Sequence, residues 1–174
     1  MNIDLSMIAK SINRETECEA DIVMTSFRSR LGDFPITGRE PVVFHIRNQE
    51  NETVRVSAEV NLEAEIACSR CLEPVQTPLC FSVDRVFRIG SDGLSEEDGE
   101  ETDYLTGYEL DTEKLLYAEI LVNWPVKVLC RDDCRGICRV CGTNLNERDC
   151  SCQKTEPHPG MAAIADIFQK FKEV

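Results

Sequence analysis

Long apolar runs are missing from this sequence: the longest, Met161–Ala165, has five residues, far below the ~18 that mark a membrane helix. The start, Met1-Asn-Ile-Asp-Leu, lacks the basic residues and apolar stretch of a secretory signal. Basic residues are scarce, 19 against 32 acidic, for a formal charge of −13. That balance excludes a histone-like protein that coats nucleic acid by charge alone. Aromatic residues make up only 6% of the chain, and there are two histidines. His45 falls on the polar face of a candidate strand and His158 precedes a candidate helix, so both read as structural or surface residues. No Gly-rich phosphate loop, serine-nucleophile motif or His-Glu metalloprotease helix is present. Neither a catalytic residue nor a small-molecule substrate is evident. The expectation is a soluble, cytoplasmic, acidic protein without a membrane partner. At 174 residues it makes one domain, or one with a small appendage.

What the chain does have is ten cysteines, eight of them clustered. The clusters run Cys68-x2-Cys71, then Cys130-x3-Cys134-x3-Cys138-x2-Cys141-x8-Cys150-x-Cys152. Without a signal for secretion, such spacing reads as thiolates around metal rather than as disulfides. Cys18 and Cys80 stand alone and read as small buried hydrophobes.

The first half alternates with period two. Val54, Val56, Ala58, Val60, Leu62, Ala64 and Ile66 share one face of a strand over Thr53–Ile66, with polar residues opposite. Pro41–Arg47 repeats the pattern with Val42, Phe44 and Ile46, and the polar link Asn48–Glu52 predicts an antiparallel hairpin. Val75–Ile89 is a third strand, and residues 18–27 add a weaker one. Asp92–Asp103 then carries seven acids and no basic group, as a solvated surface loop would. Asp111 is placed to cap a helix containing Leu115, Leu116, Ala118, Ile120, Leu121 and Val122, which Pro125 ends. Trp124 reads as a core residue. Met161, Ile164, Phe168 and Phe171 recur at helical spacing after Pro159.

The fold class is therefore α+β: an antiparallel, sheet-rich domain with a few helices and a C-terminal four-cysteine zinc knuckle. Its parts are 1–129 (sheet and helix, with the CxxC turn 68–71 and acidic loop 92–103), 130–152 (knuckle) and 153–174 (amphipathic helix).

Zinc takes four soft ligands in a tetrahedron. Cys138-Arg-Val-Cys141-Gly142 curls two sulfurs toward one point, with Gly142 free to take positive φ. Cys150-Ser-Cys152 offers a second pair, because residues i and i+2 of an extended segment point the same way. Cys68, Cys71, Cys130 and Cys134 would make a second site across the 58 residues separating Cys71 from Cys130. Two ions are favoured over one, since this partition strands no thiol pair. The local alternative groups Cys130 and Cys134 with Cys138 and Cys141, leaving Cys68 and Cys71 as a redox pair. An iron–sulfur cluster also accepts four thiolates, but these spacings match no common ferredoxin run. Segment Lys127–Lys154 carries +2 while the remainder carries −15. Arg131, Arg135, Arg139 and Arg148 are thus the candidates for RNA contact, the competing role being hydrogen bonds to the thiolates.

Two stretches also resemble a known family. Ala67-Cys68-Ser69-Arg70-Cys71-Leu72-Glu73-Pro74 is similar to the Cys-x-Arg-Cys-Leu turn of the YceD family, the large ribosomal RNA subunit accumulation proteins. Cys130 through Asn146 resembles its distal block of Cys-x2-Cys-Gly and Asn-Leu-Asn, with Arg139 standing where a proline is common. The resemblance implies a zinc-binding factor needed for 23S ribosomal RNA accumulation and large-subunit biogenesis, with no established catalysis. Its partner would be precursor ribosomal RNA or a ribosomal protein. The alternatives are a zinc-stapled protein scaffold without RNA contact and a CxxC thiol-redox protein, although such a motif normally opens a helix.

Overall fold

The computed structural model describes residues 1–50, 52–96 and 102–152. Elements follow in the order β1 (Asn2–Asp4), α1 (Ser6–Ala9), β2 (Glu15–Ala20), β3 (Ser26–Ser29), β4 (Gly32–Arg39) and β5 (Val42–Gln49). Then come β6 (Thr53–Ala67), β7 (Pro74–Ile89), β8 (Leu94–Glu96), β9 (Leu105–Thr106), β10 (Glu109–Asp111) and α2 (Thr112–Val122). Every strand pairing among the described residues is antiparallel. Chain contacts divide the molecule into two units. One is Met1–Ser69 with Glu73–Cys130; the other is Arg70–Leu72 with, among the described residues, 131–152.

The first unit is built around β6. Its inward residues Val54, Val56, Val60 and Ala64 are almost wholly buried, as period-two alternation predicts. β7 pairs along its whole length, from Thr53 opposite Arg88 to Ala67 opposite Pro74. The other edge is shared, with β5 along one half and β4 along the other. β2 extends the sheet beyond β5, β3 beyond β4 and β8 beyond β7, giving seven strands, while β1, β10 and β9 form a separate small sheet. A long β6–β7 hairpin results, and residues 68–73 are its tip.

The Asp111 side chain caps α2, accepting from the backbone N–H groups of Glu113 (3.1 Å) and Lys114 (3.3 Å). Leu115, Leu116 and Ile120 are buried in the same core as Phe44 and Phe87. Trp124 packs with that core, stacking on Phe27 at 4.9 Å between ring centroids and tilting against Phe34 at 4.6 Å.

Four expectations change. The weak strand expected over 18–27 is two strands, β2 and β3, separated by residues 21–25. Side chains satisfy the backbone there: Arg39 donates to the carbonyls of Val23 and Met24, and Glu113 accepts from the Val23 N–H at 2.8 Å. Cys80 is exposed rather than buried, because period two puts Leu79 and Phe81 inward and leaves Cys80 opposite Asn61 on the outer face. Leu121 and Val122 are 43% and 75% exposed, lying off the α2 face that buries Leu115, Glu119 and Ile120. β4 was not expected at all. The amphipathic stretch Met161–Phe171, His158 and residues 97–101 of the acidic run lie outside the described residues.

Candidate metal centres

The hairpin tip is a tight turn. The Cys68 N–H donates to the Glu73 carbonyl at 2.8 Å, closing it. Ser69 ties it to the segment after α2, its N–H donating to the Val128 carbonyl at 2.8 Å and its Oγ accepting from the Val128 N–H at 3.2 Å. Leu72 takes φ +64°, a left-handed conformation that bulky residues seldom adopt, with its side chain in solvent. The sulfurs of Cys68, Cys71, Cys130 and Cys134 lie within 4.8 Å of one another. Cys68, Cys71 and Cys134 are buried, and Cys130 is exposed.

Residues 131–152 have little regular structure and are held by specific bonds. The Cys138 N–H donates to the Thr143 carbonyl at 2.8 Å and the Gly142 N–H to the Cys138 carbonyl at 2.9 Å. Gly142 has φ +71°, the positive value expected of it. Ile137 and Asn144 form an isolated bridge. The sulfurs of Cys138, Cys141, Cys150 and Cys152 form a second group, again within 4.8 Å of one another.

Ligands at ~2.3 Å from a tetrahedral zinc lie about 3.8 Å apart, so both groups have the dimensions for one ion each. The chemistry of the second group points the same way. The Thr143 hydroxyl, 3.1 Å from the Cys141 sulfur, and the Thr143 backbone N–H together hold the Cys141 thiol down to about 6. The N–H groups of Cys141 and Val140 lower Cys138. Cys152 is pushed up to about 12, chiefly by its hydrogen bond with Cys141. Cys150 has the Cys152 N–H favouring its thiolate, but its hydrogen bond with Cys138 and its burial prevail and raise it. Sulfurs this close share protons between thiol and thiolate, and a divalent cation would favour the thiolate in all four.

Several supporting residues were not singled out as sites from the sequence. Asn146 donates from Nδ2 to the Cys134 sulfur at 3.3 Å and accepts from the Arg135 N–H at 2.8 Å. Arg70 donates from Nη1 to the Cys134 carbonyl at 2.8 Å. The signal was an Asn at a fixed offset from Cys-x2-Cys and an Arg inside the first turn; spacing alone does not say which sulfur each one serves. Of the four RNA-contact candidates, Arg135 is ion-paired with Asp149, and Arg131 lies 3.4 Å from Asp133. Among the described residues the Arg139 and Arg148 side chains make no ion pair.

An antiparallel sheet and two four-cysteine groups define the class as a cysteine-clustered, β-rich protein. A family model described as "Large ribosomal RNA subunit accumulation protein YceD" matches residues 56–168, and the chain belongs to that family. Among its relatives is the Large ribosomal RNA subunit accumulation protein YCED homolog 1, chloroplastic, of Arabidopsis thaliana. It is 26% identical over 65 residues, 37% of this chain and 20% of the relative. An uncharacterized protein of Mycobacterium tuberculosis is 29% identical over 98 residues, 55% of this chain and 46% of its own length. One from Mycobacterium leprae is 26% identical over 98 residues, 55% and 44% respectively. The chain thus spans less than half the length of these curated relatives. No solved structure matches it.

Proposed function

We propose that the chain is a non-enzymatic, cytoplasmic zinc protein that supports 23S ribosomal RNA accumulation and hence assembly of the large ribosomal subunit. The carrying observation is the family match over residues 56–168, which spans all eight clustered cysteines. In this reading Cys68, Cys71, Cys130 and Cys134 hold one zinc, and Cys138, Cys141, Cys150 and Cys152 hold the other. Four thiolates leave no open position for water or substrate, so each ion acts as a structural staple. The sheet and helix of 1–129 carry the knuckle of 130–152 and an amphipathic helix in 153–174. The partner is precursor ribosomal RNA or a ribosomal protein, with Arg131, Arg135, Arg139 and Arg148 as the RNA-facing candidates.

A thiol-redox role for Cys68 and Cys71 has less support. Both thiols are buried, and they sit on a hairpin tip rather than at the helix N-terminus that lowers a reactive thiol's pKa. A scaffold with purely protein partners is the second reading, favoured by the charge of −13.

Depletion of the protein from its own cells tests the function. The ratio of large-subunit to small-subunit ribosomal RNA should fall, and be restored by the wild type but not by Cys68→Ser/Cys130→Ser. An unchanged ratio would remove the proposal.

A further inference from the structure

Asn146 stands in the chain between the two ligand pairs of one cysteine group and bonds to a ligand of the other. It lies five residues after Cys141 and four before Cys150, yet its Nδ2 donates to the Cys134 sulfur at 3.3 Å. Chemistry fixes which way the amide points. Its Oδ1 accepts from the Arg135 backbone N–H at 2.8 Å, and a backbone N–H can only donate, so the NH2 end is the one turned to the sulfur. A donor at that sulfur stabilises the negative charge that a thiolate ligand carries and fixes its direction.

The loop around Asn146 carries the amide into place. The Leu145 N–H donates to the Gly136 carbonyl at 2.9 Å, the Asn146 N–H to Asn144 Oδ1 at 3.0 Å, and Asn144 bridges Ile137. Ligand pairs stand at both ends of the loop, Cys138 and Cys141 before it and Cys150 and Cys152 after it. An ion held by those four sulfurs closes the loop, removing chain entropy that would otherwise oppose placing Asn146. Without that ion, only the loop's own bonds hold the amide at Cys134. The reverse path is as short: an ion bound through Cys134 fixes the sulfur that receives Asn146, and so steadies the loop that presents Cys141 and Cys150.

We propose that Asn146 couples the two metal sites. An ion in the Cys138/Cys141/Cys150/Cys152 group strengthens the hold of the Cys68/Cys71/Cys130/Cys134 group on its own ion, and by linkage the reverse holds by the same factor. The inference rests on the two-zinc reading. Its expected size is that of a partner hydrogen-bonded to a metal ligand, on the order of 10–100-fold in metal affinity. A chain so coupled populates its one-ion form less than two independent sites would.

The test loads the full chain with cadmium, a soft ion that takes zinc's thiolates and gives an NMR resonance for each site, and withdraws it with EDTA. Asn146→Asp keeps an oxygen for the Arg135 N–H and loses the donor to Cys134. In the intact chain it should shift the resonance of the Cys134 group and lower the combined affinity for the two ions at least tenfold. Asn146→Ala should do the same. In Cys150→Ser/Cys152→Ser, which disables one group, the other should bind at least tenfold more weakly, and adding Asn146→Asp should change that affinity less than twofold. Should this variant fail to fold, the EDTA titrations of the wild type and Asn146→Asp still decide the matter, because equal retention of both ions overturns the proposal. A loss in Asn146→Ala that Asn146→Asp does not share would also overturn it, leaving the residue as a clamp on Arg135. So would losses from Asn146→Asp and Cys150→Ser/Cys152→Ser that simply multiply. A single cadmium resonance at saturation would overturn the two-site reading and the coupling with it. Two resonances that respond independently would overturn the coupling alone.

Discussion

The Cα of Gly136 faces the backbone carbonyl of Arg70, so closely that an added Cβ would sit 3.0 Å from that oxygen. The same oxygen accepts from the Ile137 N–H at 3.1 Å, and the Arg70 guanidinium donates to the Cys134 carbonyl at 2.8 Å. Arg70 and Gly136, 66 positions apart, are thereby held backbone to backbone, with Cys71 next to one end and Cys134 two residues from the other. Gly136 has φ +78°, so both its conformation and its lack of a side chain are used.

Gly142 supplies the comparison, since it has φ +71° but open space where a Cβ would go. Gly142→Ala should cost only the left-handed strain, about 1 kcal/mol. Gly136→Ala adds a clash with a backbone atom that cannot swing away, and should cost about 2 kcal/mol or more. Chemical denaturation of the two variants decides it. Equal losses would mean that the Arg70 contact yields freely.

Metal content is the second expectation. Close to two zinc ions per chain should be found, with eight cysteines resisting alkylation until a chelator is added. Structural zinc contributes on the order of 10–16 kcal/mol in small peptides at neutral pH, so chelation should also loosen the fold around each group. A single zinc, with Cys68 and Cys71 freely alkylated, would contradict the pairing of those residues with Cys130 and Cys134.

Much of this was legible in the sequence, for identifiable reasons. The β5–β6–β7 core was readable because Val54–Ile66 alternates without interruption over a span longer than most strands. The grouping of the cysteines followed from counting ligands in fours. β4 was illegible because Gly32, Pro35 and Gly38 break the pattern locally. It is rescued by tertiary contact: Gly38 packs so tightly on Glu63 of β6 that a Cβ would meet that side chain at 3.1 Å, and a bulge falls between Ile36 and Gly38. Arg85 could have been flagged, because it occupies an inward register position between Val83 and Phe87. Its partner, Glu119 on α2, lies 34 residues on, and no local pattern connects the two.

That pair yields the third prediction. Arg85 Nε donates to Glu119 Oε1 at 2.7 Å, with the Glu119 side chain only 7% exposed. Arg85→Met leaves a carboxylate facing the core and should destabilise the fold by roughly 2–3 kcal/mol, the partial exposure of Arg85 moderating the loss. Adding Glu119→Leu should recover most of it, since an apolar pair of similar volume avoids desolvating two charges. A double variant no more stable than Arg85→Met would show that the ion pair is not what links β7 to α2.

Alkaline pH should expose a second buried group. Burial, then the hydrogen bond to Glu96, raise the Tyr104 phenol to about 12 from an ordinary value near 10. The unfolded chain therefore loses this proton first as pH rises. The stability tied to neutral Tyr104 is intact below pH about 10 and is lost progressively toward about 12. Tyr104→Phe should flatten that part of the pH–stability curve, and wild-type phenolate absorbance should show one residue titrating late. A variant curve that matches the wild type would assign the alkaline loss elsewhere.

The last prediction separates RNA contact from structural use of the arginines. At −13 the chain should not hold RNA through diffuse attraction, so any contact must be local and made by guanidinium groups with nothing else to bind. Arg135 is engaged by Asp149, and Arg131 lies near Asp133, whereas Arg139 and Arg148 make no ion pair among the described residues. Reversing Arg135 would place two acids side by side and confuse folding with binding. Arg139→Glu/Arg148→Glu avoids this and should leave zinc content and thermal stability near wild type. It should lower association with precursor large-subunit particles about tenfold or more, and flatten the salt dependence by ~0.7 per lost phosphate contact if the strand is single. Sedimentation across a salt series reads both quantities. Full association with an unchanged slope would end the RNA-contact reading and leave the charge of the knuckle as a matter of solubility.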